Sequence, residues 1–165
     1  MNKKLMLSGV LLLGFSGMAL AGGAGAPVTG ANAQVQPATP EAVAAALRAA
    51  GYRVTMNPSD PDSDPSMTVD TGDYEVEVWL SGCQKNVCSR VTASSSWDYS
   101  DDEDLLDTEL INDWNGNYYT QAYIYEGAYY LDSTMPIRGG YTQAALKAWM
   151  TDYLEDALDF EEELP

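Results

Sequence analysis

The sequence contains no histidine. Nucleophilic systems that need an imidazole base are therefore excluded, and so are the common zinc sites that mix histidine with cysteine. Basic residues are also scarce, eight against 25 acidic ones, for a formal charge of -17. A field of that sign repels phosphate backbones and anionic lipid headgroups, which excludes nucleic acid and a membrane surface as natural partners. There are only two cysteines, Cys83 and Cys88 in SGCQKNVCSR, with four residues between them. The spacing is not the CxxC of thiol redox sites, and there is no second pair to complete a metal centre. No internal repeat occurs, and no cofactor motif is predicted.

What is present begins with an export signal. Lys3 and Lys4 precede an apolar run from Leu5 to Leu20 and the small-residue exit Ala19-Leu20-Ala21, which predicts a signal peptide over residues 1–21. No cysteine stands at the exit for a lipid anchor, and no basic stop-transfer cluster follows. Cleavage there removes two basic groups, leaving a mature chain, residues 22–165, with formal charge -19. In the oxidising compartment this implies, Cys83 and Cys88 are expected to close a disulfide.

Residues 22–38 are small, polar and without hydrophobic period, so they read as a flexible linker, with the folded domain spanning 39–165. Thr39 and Pro40 open a helix, Gly51 closes it, and Val43, Ala46, Leu47 and Ala50 form its apolar stripe. YRVTM reads as a strand and PSDPDSDPS as a loop. In MTVDTGDYEVEVWLSG, Tyr74, Val76, Val78 and Leu80 alternate with Glu75, Glu77 and Trp79. QKNV is a hairpin connection. On the returning strand Val91, Ala93 and Trp97 face one way and Arg90, Thr92 and Ser94 the other. SDDEDLLDTELINDW predicts a second helix, carrying Leu106, Leu110 and Trp114 inward and stopping at Asn115-Gly116-Asn117.

Six tyrosines fall between residues 118 and 130. A two-residue turn at Glu126-Gly127 pairs Tyr125 with Ala128, Ile124 with Tyr129, Tyr123 with Tyr130 and Ala122 with Leu131. One face then holds Ala122, Ile124, Tyr129 and Leu131; the other holds Tyr119, Tyr123, Tyr125 and Tyr130, the candidate binding face. Tyrosine joins apolar area to a polar tip, and the face suits a helix of the same chain, a second copy in a homodimer, or another protein, with carbohydrate stacking a further occupant. A last helix from Tyr141 to Glu163 has Leu146, Met150, Tyr153, Ala157 and Phe160 as its stripe. The result is an α+β domain, order α-β-β-β-α-β-β-α, with helices on a mostly antiparallel sheet.

Two acidic stretches invite calcium, but neither completes an EF-hand pattern. Asp60, Asp62 and Asp64 are followed by Pro65 where glycine is needed and by Thr71 in the final ligand position. Asp98, Ser100, Asp102 and Glu109 enclose Glu103 at the glycine position. They read as a solvated loop and a helix start, so no metal site is predicted. Asn112 and Asn115 read as helix-end capping residues, and Trp114 as core.

GYRV after the first helix, the strand into Cys83 with Cys88-Ser89 beyond it, LINDWN, AYIYEGAYYLD and GGYTQAALKAWMTDYLEDALDF together resemble the YbjN domain family of bacterial sensory transduction regulators. The resemblance covers about residues 38–164. It implies a twisted antiparallel sheet flanked by helices, similar to type III secretion chaperones, and it supplies no catalytic residue. The family's equivalent of Tyr119 is often basic, which sets this chain's surface apart. The expectation is an exported, non-enzymatic, protein-binding or regulatory module of the cell envelope. An envelope hydrolase using paired carboxylates, or a calcium- or glycan-binding protein, are the competing readings.

Overall fold

The computed structural model describes residues 33–58 and 63–165. The predicted signal peptide, most of the predicted linker, and Asp60 and Asp62 lie outside those residues. Eight strands and three helices follow in the order β1 (Val35–Gln36), α1 (Pro40–Ala49), β2 (Arg53–Met56), β3 (Ser66–Asp70), β4 (Glu75–Ser81), β5 (Arg90–Asp98), α2 (Thr108–Asn117), β6 (Gln121–Tyr125), β7 (Ala128–Pro136), β8 (Tyr141–Thr142) and α3 (Gln143–Glu163). Six strands form one antiparallel sheet in the order β2-β3-β4-β5-β7-β6; β1 and β8 pair separately. The α+β class with helices on an antiparallel sheet is as expected. No described helix is long and apolar enough to cross a membrane.

Local chemistry sets the helix ends. Thr39 Oγ1 accepts the Ala42 N–H at 3.3 Å, Pro40 occupies the first turn, and Gly51, at φ 109°, ends α1 in a conformation that costs a side-chain-bearing residue more. Thr142 caps α3 by accepting from Ala145 N at 3.1 Å. The core lies between α1, α3 and the facing side of the sheet, where Val43, Leu47, Met67, Val69, Val76, Val78, Leu80, Val91, Leu131 and the whole predicted α3 stripe are buried. Phe160 gathers three rings about itself, with centroids 5.4 Å from Trp97, 4.9 Å from Trp114 and 6.2 Å from Tyr129. Edge-to-face contacts of this kind add to the area they bury.

The secondary-structure elements depart from those the sequence predicts in four places. MTVDTGDYEVEVWLSG forms two antiparallel strands, because Thr71 turns the chain: its backbone N–H and hydroxyl both donate to Tyr74 O. Four strands therefore stand between α1 and α2, not three. Val35 and Gln36, in the segment read as linker, pair with Thr142 and Tyr141, so ordered structure starts ahead of Thr39. Those two residues of the last predicted helix are strand, and α3 starts at Gln143. Finally, α2 begins at Thr108 and continues through Asn117. The buried Tyr129 hydroxyl accepts the Asp107 N–H at 2.5 Å and donates to Leu105 O at 2.9 Å, diverting backbone groups a longer helix would use. Only a 3₁₀ turn, Glu103–Leu105, forms in the acidic run before it.

Candidate functional site

All three helices contribute to the core on one side of the sheet. The other side carries the residues that alternate out of that core, and the central position of β5 sets their order. Thr68 stands beside Glu77, Glu77 beside Ser94, Ser94 beside Asp132, and Asp132 beside Gln121. In the flanking rows Trp79 stands beside Thr92, and Ser96 beside Tyr130 and then Tyr123. The β5 side chains are short, whereas Trp79 and Glu77 on one flank and Tyr123 and Tyr130 on the other are long. This difference in height makes a trough along β5.

The predicted β6–β7 register is the observed one, from Ala122↔Leu131 to Tyr125↔Ala128. Glu126 and Gly127 turn at φ 46° and 79°, as a two-residue hairpin requires. A Cβ on Gly127 would also stand 3.0 Å from Ser100 Cα. Tyr123 and Tyr130 stack directly across the strands, centroids 5.1 Å apart and planes at 6°; Tyr125 meets Tyr130 at 6.4 Å and 62°. Tyr123 and Tyr130 are half-buried and Tyr125 is exposed.

Tyr119, the fourth residue read onto this face, is not there. It precedes the first paired residue of β6, so strand alternation does not reach it, and its side chain is fully exposed. Its neighbour Thr120 is buried, accepting from Trp114 Nε1 at 3.0 Å and donating to Asp156 Oδ2 at 2.9 Å. Tyr119 instead borders a depression with Trp149 and Tyr153 of α3.

Asp132 is the least compensated carboxylate on the face. One oxygen accepts from the Tyr123 hydroxyl at 3.3 Å, and the other, buried, has no hydrogen-bond partner among the described residues. Burial raises its pKa above the ordinary carboxylate value and outweighs the opposing Ser94 and Tyr123 hydroxyls. Burial, with the Asp132 charge beside it, pushes Tyr123 up to about 12, which keeps its hydroxyl a donor. On the opposite flank Asn57 donates to Glu77 Oε1 at 3.1 Å and to Ser66 Oγ at 3.0 Å, fixing the acidic wall.

At one end the sheet divides. The β4–β5 ladder ends at Glu77↔Ser94; beyond it Glu75 and Val76 pair only with β3, and Ser95 to Asp98 only with β7. Trough and fork form one open cleft of about 610 Å³. The Tyr74 hydroxyl hydrogen-bonds Glu161 of α3 at its margin.

The remaining candidates resolve into structural roles. Cys83 and Cys88 form the disulfide, across a tight turn in which Lys85 and Asn86 have φ of 50° and 66° and Gln84 bridges Val87. Trp114 is buried. Asn115 does more than end a helix: its amide donates to Ala122 O at 2.9 Å and accepts from Ala122 N at 2.8 Å, clamping the outer edge of β6. Asn112 is exposed. Asp98 accepts from Ser100 N at 2.9 Å and Asp107 from Glu109 N at 2.7 Å, so these acidic side chains order turns. Among the described residues no three acidic or cysteine side chains gather as a metal site.

Strand alternation in the sequence places Glu75, Glu77 and Trp79 on one side of their strand, and Thr92 and Ser94 on one side of theirs. It does not show that these sides adjoin the tyrosines, because β5 pairs with β7, thirty or more residues on, and local periodicity carries no trace of that pairing.

No curated protein matches the chain. Among solved structures, that of an uncharacterized protein from Methanothermobacter thermautotrophicus is similar at 11% identity and a TM-score of 0.47, over 76% of this chain and 98% of that one. A family model described as "Putative bacterial sensory transduction regulator" matches residues 39–165, and the chain belongs to that family, YbjN.

Proposed function

We propose that this YbjN domain is an exported, non-enzymatic module of the bacterial envelope that holds another protein, in a chaperone-like or regulatory role, on its open sheet face. The observation that carries the reading is the aromatic array of Tyr123, Tyr125 and Tyr130 across the trough from Trp79, on the side of the sheet opposite the three helices. Rigid rings with polar tips give large contact area at small entropic cost, which is why such residues dominate protein-binding surfaces. Membership of a family of sensory transduction regulators supports a regulatory or binding role. The Lys3–Ala21 segment and the Cys83–Cys88 bond support export, because disulfides persist in oxidising compartments.

The test is affinity capture from envelope and secreted fractions with the oxidised protein, beside a Tyr123→Ser/Tyr125→Ser/Tyr130→Ser variant and, as a control off the face, Tyr119→Ser. The expected result is one protein retained by the wild type and by Tyr119→Ser and lost by the triple variant, with far-UV circular dichroism unchanged in all three. Capture that ignores the triple substitution, or no capture at all, rejects the reading. Product release from cell-wall polysaccharide that disappears in Glu77→Gln would replace it with a hydrolase.

A further inference from the structure

We propose that the partner of this face is engaged through a basic, extended segment whose lysine or arginine side chains enter the cleft between β4 and β5. The inference rests on the protein-binding reading above and adds the chemistry of what is bound. Three observations converge on it.

The first is backbone geometry. Where β4 and β5 part, Glu75 and Val76 on one side and Ser95 to Asp98 on the other keep only one strand neighbour each among the described residues. An open strand edge offers N–H and C=O groups to an incoming strand, and that form of recognition is specific to polypeptide. A sugar or small amine would use none of it.

The second is charge. Glu75, Glu77 and Glu161 line the cleft, Asp132 stands in the row next to Ser94 on its floor, and among the described residues no lysine or arginine lines it. Arg53, the basic residue of the nearby β2 strand, is engaged by Asp70 at 3.0 Å through Nε. An anionic segment would be repelled, and a neutral one would desolvate carboxylates without compensating them. A basic segment supplies the missing charge.

The third is the nature of the walls. Trp79, Tyr123 and Tyr130 present ring faces or edges beside those carboxylates, and aromatic faces attract ammonium and guanidinium groups while packing against their aliphatic stems. Side chains of an extended segment alternate, so basic residues at every second position would fall on the same acidic wall. The cleft volume, about 610 Å³, suits a few side chains rather than a folded domain.

The test uses the oxidised protein labelled at tryptophan indole nitrogens and a capped peptide of about nine residues, long enough to cross the cleft as a strand. Lysine occupies alternate positions; companion peptides carry glutamine or glutamate there. The lysine peptide is expected to shift the indole resonances of Trp79 and Trp97, which both line the cleft, with those of Trp114 and Trp149 silent. Its affinity should fall at least about fivefold in Glu75→Gln/Glu77→Gln, and again with added salt, as a charge-complementary contact requires. No shift, an equal shift from the glutamine peptide, or indifference to the glutamate substitutions overturns the proposal. The two levels separate cleanly. A partner captured through the tyrosines but insensitive to Glu75→Gln/Glu77→Gln leaves the protein-binding face standing and removes the basic segment. A neutral oligosaccharide that moves Trp79 while all peptides are silent removes both.

Discussion

At the residue scale, Asp132 is a side chain whose chemistry its place in the sequence does not announce. Its buried oxygen has no partner and its pKa is raised, so the folded protein holds that proton to higher pH than the unfolded chain does. Stability from this group is therefore full below the unfolded carboxyl value and declines as pH rises through the folded one. Asp132→Asn keeps an acceptor for Tyr123 and removes the cost of the charge. Its melting temperature should exceed the wild type's at about pH 7, with the gap closing by about pH 3, where the wild-type carboxyl is neutral. Exposed Asp152→Asn is the control; an equal gain there would assign the effect to net charge. In the sequence Asp132 was only the end of LD, because burial of a polar residue depends on its neighbours across the sheet. Trp114 and Tyr129, large residues at the right periodic positions, were legible as core. Tyr119 falls off the tyrosine face because strand alternation starts only at Gln121.

At the scale of elements, β6 is an edge strand, and an open edge invites pairing with a second chain. Asn115 occupies that edge at Ala122 with both halves of its amide. Asn115→Ala should cost about 1–2 kcal/mol, the net worth of a pair of part-buried hydrogen bonds, and should produce concentration-dependent self-association in sedimentation velocity. A variant that stays monomeric at all concentrations would show that the rest of α2 already protects the edge. The disulfide acts elsewhere. Reduction, or Cys83→Ser/Cys88→Ser, should lower stability by about 2 kcal/mol, the chain-entropy value for so short a loop. The far-UV spectrum should be retained, since the Gln84↔Val87 turn and the β4–β5 ladder have backbone hydrogen bonds of their own; loss of that spectrum would mean the bond directs the fold. The β6–β7 register and the α3 stripe were legible because both depend on neighbours in sequence. The true start of α2 was not, because it is set by the hydroxyl of Tyr129, more than twenty residues away.

At the scale of the whole molecule, 25 acidic groups against eight basic ones make the folded state repel itself. Raising sodium chloride from about 20 mM to about 300 mM shortens the screening length from about 20 Å to about 6 Å. The melting temperature should rise by about 3 °C or more, the shift that roughly 1 kcal/mol brings for a domain of this size. A flat response would mean the acidic residues are too dispersed to burden the fold. The same field underlies the preference for a basic partner proposed for the cleft.

The sequence by itself determined what local physics controls: the caps of α1, the apolar stripe of α3, the cysteine pair and the hairpin register. It also determined which residues leave each strand on which side. The tertiary structure alone decided which of those sides meet. Pairing of β5 with β7 brings Trp79, Glu77 and Ser94 beside Tyr123, Tyr130 and Asp132, and the end of the β4–β5 ladder opens the cleft between them. Strand order costs loop-closure entropy that is repaid by burial over the whole sheet, and no window of neighbouring residues contains that balance.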